Sequence, residues 1–309
     1  MTIDPDAARV IQLVTLLGRP PLETLPLAEA RLAAARGFAG FAAPPPALAA
    51  VEDLPGGPGT AGVPMRLYRA RPPGAAAPAI IFFHGGGWVL GSLDTHDPFC
   101  RHLAHAIGGS VLAVGYRLAP EHGFPAAVED AAAATRFVQR HAAAWGLEPS
   151  RLFLAGDSAG GTLATVVAQA RRGTGLAGQI LIYPATDLAR PHLAPPDRPG
   201  HVLLGPATIA WFKRLYLGTP SRALDPRASP LRQPDLAGLP PAFIVTAGQD
   251  LLCPEAEAYA EALRRAGTRV RHLHYPGQVH GFLTMDRVIG AATECLGQIA
   301  AFVAAPAGD

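Results

Sequence analysis

Lysine is almost missing from this chain of 309 residues: Lys213 is the only one, and the other basic side chains are arginine. Charge is scarce too, with 16% Asp, Glu, Lys and Arg and a formal net charge of +2, and no block of like charges interrupts the chain. Neither a nucleic acid nor an anionic membrane surface is implied as a partner. The three cysteines, Cys100, Cys253 and Cys295, are odd in number, far apart and without a C-x-x-C pair. That excludes a disulfide framework and leaves Cys253 as a small apolar filler. No apolar run is long enough to span a bilayer. The N-terminus carries Asp4 and Asp6 where a secretory signal would be positive, and its apolar run over 10–17 is short and broken by Gln12 and Thr15. A cytoplasmic protein is expected.

What is abundant is hydrophobic surface, 49% of residues, enough for a large core and incompatible with intrinsic disorder. The patterning alternates. Apolar residues recur at helical spacing over 5–17, 27–36, 97–107, 125–144, 159–171, 206–217 and 288–303. Between them, short β-prone runs at 65–68, 79–83, 111–116, 152–155, 179–183, 242–247 and 269–275 read as strands. Such alternation predicts an α/β protein with a mostly parallel sheet flanked by helices. Residues 44–62, rich in Pro and Gly, read as a linker or irregular loop. The interval between Tyr183 and Ala242 is too long for one crossover and predicts an insertion, with prolines at Pro191, Pro195, Pro196 and Pro199 before the helix at 206–217.

The stretch 151–172 carries the strongest signal. An apolar run leads without a spacer into Gly156-Asp157-Ser158-Ala159-Gly160, and an Ala- and Val-rich helical segment follows. A serine on a strained strand-to-helix turn needs small residues two positions either side, and the helix aims its first N–H groups at the same place. Ser158 is therefore the candidate nucleophile. A serine nucleophile needs a base, itself oriented by a carboxylate, in the order Ser, acid, His along an open α/β sheet. Asp250 directly follows the strand at 242–247, ahead of its rivals Asp187 and Asp225. Among the late histidines, His201, His272, His274 and His280, it is His280 that stands in the loop between the last strand and the last helix. His84-Gly85-Gly86-Gly87-Trp88 follows the strand at 79–83, and consecutive glycines let backbone N–H groups line an oxyanion site. Neither the Walker nor the Rossmann glycine spacing is present, and His84 reads as a hydrogen-bonded scaffold residue.

These motifs, together with Tyr116 to Ala127 (YRLAPEHGFPAA) and His280-Gly281-Phe282, resemble the hormone-sensitive-lipase-like carboxylesterases of bacteria. The resemblance covers nearly the whole chain. It implies an α/β-hydrolase fold with a helical cap. Residues 1–50 and 188–222 would form the cap, and 51–187 with 223–309 the core. It implies Ser158 as nucleophile, His280 as general base and acid, Asp250 as its orienter, and Gly86, Gly87 and Ala159 as oxyanion donors. Trp88, Trp211 and Phe212 are expected at the substrate. One departure is visible: where the family continues its acid as Asp-Pro-Leu-x-Asp, this chain reads Asp250-Leu251-Leu252-Cys253-Pro254-Glu255. The expected activity is hydrolysis of short- to medium-chain carboxylic esters through an acyl-enzyme, with no metal and no cofactor. Amide or aryl-ester hydrolysis, lipase action, and a non-catalytic ligand receptor on the same scaffold are the alternatives. The partner is a small-molecule ester, and a homodimer is left open.

Overall fold

The computed structural model describes residues 2–55, 62–72, 77–193 and 203–305. His201 and the prolines Pro195, Pro196 and Pro199 lie outside the described residues.

Eight strands form one sheet in the order β1-β2-β4-β3-β5-β6-β7-β8. They are β1 Ala50–Leu54, β2 Met65–Arg69, β3 Ala79–Phe83, β4 Ser110–Val114, β5 Leu152–Asp157, β6 Gly178–Ile182, β7 Ala242–Ala247 and β8 Val270–Tyr275. β1 and β2 pair antiparallel, as do β2 and β4, and every later pairing is parallel. Parallel strands covered on both faces need apolar side chains on both, which is why AIIFF of β3 and AFIVTA of β7 are buried at every position. Alternation then divides the core. Ile80 and Phe82 face a cluster built with Phe99, Leu103, Leu296 and Ile299 of the helices α3 (Asp97–Ile107) and α8 (Gly290–Ala304). Ile81 and Phe83 face Val128, Leu163 and Tyr259 of α4 (Ala126–His141), α5 (Ala159–Ala170) and α7 (Cys253–Arg265).

The N-terminal helices are α1 Pro5–Leu16 and α2 Leu27–Phe41. Asp4 caps α1 by accepting from the Asp6 and Ala7 N–H groups, which fixes its start just before Pro5. The α1 helix is not a free lid: Val10 is fully buried and the Asp4 N–H donates to Gly277 O at 3.0 Å, while Leu17 stays 55% exposed. The insertion carries α6, Pro206–Leu217, as its periodicity predicts.

Two elements depart from the sequence expectation. Within 44–62, read as irregular, residues Ala50–Leu54 pair as an edge strand against β2. Its burial is only partial, so no clean two-residue alternation announces it. Helix α7 was not expected at all. Its buried stripe is Cys253, Ala256, Tyr259, Ala260 and Leu263, and so many small residues make a faint helical period.

Candidate active site

Ser158 sits between β5 and α5 with φ 54° and ψ −118°, a left-handed backbone for a residue with a side chain. Such strain costs on the order of 1–3 kcal/mol and persists only where the surroundings dictate it. Here they do. A Cβ on Gly160 would overlap the Phe83 carbonyl, and one on Gly156 the Gly160 backbone, so only glycine lets the turn close. The Ser158 N–H donates to Ile182 O at 2.8 Å, locking the elbow to β6.

His280 and Asp250 arrive from the loops after β8 and β7. The His280 Nδ1–H donates to Asp250 Oδ2 at 2.7 Å, and Nε2 lies 2.9 Å from Ser158 Oγ. Because the carboxylate can only accept, it fixes the tautomer: Nε2 is left to accept from the serine hydroxyl. The other carboxylate oxygen, Asp250 Oδ1, accepts from the Leu252 N–H at 3.0 Å, so the Leu251-Leu252 sequence still forms a turn that holds the acid. Asp250 is 2% exposed and Ser158 9%. The Tyr183 ring stands 4.8 Å from the imidazole of His280, fixing it from the side. The rival carboxylates serve elsewhere, Asp187 paired with Arg232 at 2.7 Å and Asp225 with Arg227 at 2.7 Å. His272 and His274 lie along β8 within hydrogen-bond reach of the Thr246 hydroxyl.

The glycine loop leaves β3 with φ 116° at Gly86 and 61° at Gly87. Among the described residues, no protein group accepts from the backbone N–H of Gly86, Gly87 or Ala159. The loop is held from beneath. The Gly85 N–H donates to Asp157 Oδ1 at 2.8 Å, His84 Nδ1 contacts Gly85 O at 2.8 Å, and the Tyr116 hydroxyl donates to His84 O at 2.6 Å. Burial pulls His84 down to about 4, with neighbouring His96 adding to the effect, so the ring is neutral. For Asp157 burial acts upward, yet His96 with its Nε2 at 3.5 Å, and the Gly85 N–H, hold the carboxyl below its ordinary value. The scaffold role expected of His84 is thus visible in its contacts. Asp157, Tyr116, His96 and Tyr183 were not singled out from the sequence. Asp157 lies inside the serine pentapeptide and Tyr116 opens the YRLAPEHGFPAA stretch, so each had a signal; His96 and Tyr183 had none.

Trp88, Trp211 and Phe212 are all buried. A Cβ on Gly87 would overlap the Phe212 ring, so α6 lies directly over the glycine loop. The Trp88 indole stacks on Tyr216 of the same helix at 4.3 Å, and Trp211 packs beside Phe212 at 5.1 Å. Arg31 of α2 reaches the same region, donating to Val89 O and Ala119 O at 3.0 Å each and to both carboxylate oxygens of Glu121 at 2.7 Å. That guanidinium holds the Glu121 carboxyl down to about 2. Among the described residues, Cys253, Glu257 and His274 form the one group of three that could hold a metal ion, and it includes none of Ser158, Asp250 and His280.

Residues 80–284 match the family described as the alpha/beta hydrolase fold. A carboxylic ester hydrolase of Mycobacterium tuberculosis, LipN, is 44% identical over 246 residues, 76% of this chain and 65% of that protein. An ethyl acetate hydrolase of Pseudomonas putida is 38% identical across 96% of both chains. In three dimensions, a hyperthermophilic esterase from the archaeon Pyrobaculum calidifontis superposes with a TM-score of 0.88 at 37% identity, covering 98% of each chain.

Proposed function

The chain belongs to the alpha/beta hydrolase fold family, and from that premise we infer that it is a serine carboxylic ester hydrolase working through an acyl-enzyme. The observation that carries the reading is the continuous Ser158–His280–Asp250 hydrogen-bond chain, to which the Asp157–Gly85 bond ties the glycine loop; among the described residues no protein group accepts from the Gly86, Gly87 or Ala159 N–H.

Ser158 Oγ attacks the ester carbonyl as His280 Nε2 takes its proton, and Asp250 stabilises the imidazolium that forms. Charge develops on the carbonyl oxygen, where Gly86, Gly87 and Ala159 donate, supported by the N-terminal end of α5. The alcohol leaves with the proton from His280. A water, deprotonated by the same nitrogen, then attacks the acyl-enzyme and releases the acid.

Residues 1–49, with the described residues of the insertion from 188 to 222, act as a cap over this centre, and the expected boundary at 50 moves back because Ala50 pairs with Arg69 in β1. Two contacts support the assignment: the Thr208 hydroxyl of α6 donates to Glu23 at 2.9 Å, joining the N-terminal segment to the insertion, and Phe212 rests on Gly87. An apolar aromatic lining so close to the oxyanion donors suits a short to medium acyl chain, and the similarity to an ethyl acetate hydrolase points the same way. The test is hydrolysis of p-nitrophenyl esters from acetate to decanoate by the purified chain. Turnover that is highest at short to medium acyl length and absent in Ser158→Ala is the expected result; no hydrolysis of any ester in the series would overturn the reading.

A further inference from the structure

Three residues after Asp250 the chain enters α7, whose first two turns bring a thiol and a carboxylate up to β8. Cys253 and Glu257 are four apart and share a helix face. His274 pairs with Thr246 in the β7–β8 register and lies on the same sheet face as His272. Cys253 Sγ, a Glu257 carboxylate oxygen and a His274 ring nitrogen all lie within 4.8 Å of one another. The separation is 4.0 Å from Sγ to His274 Nδ1 and 3.4 Å from Nδ1 to Glu257 Oε1. A tetrahedral Zn2+ with a Zn–S bond of about 2.3 Å and Zn–N or Zn–O bonds of about 2.1 Å spaces its ligands roughly 3.4–3.6 Å apart. The sulfur–nitrogen and nitrogen–oxygen spacings meet that requirement to within about half an ångström, and the sulfur–oxygen spacing is no more than 4.8 Å.

We propose that Cys253, Glu257 and His274 form a binding site for Zn2+, with the fourth position taken by water. A thiolate, a neutral imidazole and a carboxylate are the donor types zinc prefers, and the two anions balance the dication. On binding, the S–H bond is exchanged for S–Zn and the proton goes to solvent. Access is open: the Glu257 and His274 side chains are 46% and 32% exposed, while Cys253 forms the buried floor. Thr246 Oγ1 lies 2.8 Å from His272 Nε2 and 3.0 Å from His274 Nδ1; with zinc on Nδ1 that nitrogen's lone pair is taken, and the Thr246 hydroxyl keeps His272 as its partner. The cation performs no step of ester hydrolysis. It ties the start of α7 to β8, immediately after the turn that carries Asp250, and acts as a clamp on that edge of the sheet.

The experiment titrates the purified, metal-free chain with ZnCl2 by calorimetry and, separately, with CoCl2 by absorbance. The site takes one Zn2+ per chain and raises the melting midpoint, and Co2+ gives a thiolate charge-transfer band in the near ultraviolet. Cys253→Ser abolishes the band, and His274→Asn or Glu257→Gln weakens Zn2+ binding by more than the roughly 10–100-fold that losing an outer-sphere hydrogen bond costs. Should Cys253→Ser fail to fold, Glu257→Gln, half-exposed on a helix, decides. A Co2+ spectrum without the thiolate band, or Zn2+ binding of equal strength in Glu257→Gln and wild type, overturns the site.

Discussion

The Asp157 carboxylate accepts the Gly85 N–H at 2.8 Å, so the residue just before the candidate nucleophile holds the loop that carries the candidate oxyanion donors. Serine and donors are positioned by one buried hydrogen bond, and a shift of either moves both. Asp157→Ala leaves the Gly85 N–H without an acceptor and is expected to lower kcat for p-nitrophenyl acetate by about 10²–10³, the scale of losing an oxyanion donor. Asp157→Asn, which keeps an oxygen in place, retains more. Equal activity in Asp157→Ala and wild type, measured per phosphonate-titrated site, would show that the link does not position the loop.

Removing members of the hydrogen-bond chain tests the mechanism itself. Ser158→Ala and His280→Ala are expected to lower kcat by about 10⁶ and Asp250→Asn by about 10⁴, as in other serine hydrolases, with the melting midpoint little changed. A fluorophosphonate labels Ser158 alone. Labelling at Cys253, or substantial turnover by Ser158→Ala, would move the nucleophile.

The parts of this site that were legible in the sequence are those whose chemistry fixes their order. Ser158, Asp250 and His280 follow one another after β5, β7 and β8 because an open parallel sheet gathers its loops at one edge. The glycines beside Ser158 are equally readable, since their Cβ atoms would strike Phe83 and the neighbouring turn. Asp157 was not readable as an anchor, because its partner Gly85 is 72 residues away and nothing local announces the contact. His96 and Tyr183 escaped for the same reason, and α7 because alanine carries much of its buried stripe. Strand β1 hid behind a Pro-rich approach and an edge position with little to bury.

Acid stability follows from His84. Its ring is fully buried and held down to about 4, whereas in the unfolded chain it titrates near 6.5. Between those values the unfolded state binds the extra proton, so the native state is favoured in full above about 6.5 and loses ground as pH falls toward 4. His96 acts in the same direction and Asp157 opposes it. The loss amounts to about 3 kcal/mol over that window. The Glu121 carboxyl, held down to about 2 by Arg31, is half exposed, so its solvent-screened pair adds at most about 1 kcal/mol of loss, and only below its ordinary range near 4.5. The melting midpoint of wild type should therefore fall already between pH 6.5 and 4.5, and His84→Gln, whatever its absolute stability, should flatten that limb. Parallel curves for the two proteins would remove His84 as the cause.

We propose that Phe212 sets chain-length selectivity. Its ring lies against Gly87, so the side chain stands where an acyl group bound beside the oxyanion donors would extend. Each methylene buried in a slot is worth about 0.8 kcal/mol, close to fourfold in kcat/KM, until the slot is full. With the wild-type ring in place, kcat/KM should climb from acetate to an optimum at short to medium acyl length and then drop. Phe212→Ala removes the ring and should carry the climb on by about two methylenes while lowering the acetate rate only a few-fold. Trp211→Ala is the control: Trp211 packs beside Phe212 within the same helix, and its loss should cost stability more than it moves the optimum. A profile in p-nitrophenyl esters from acetate to decanoate that keeps its maximum in Phe212→Ala but shifts in Trp211→Ala would reassign the end of the slot to the tryptophan.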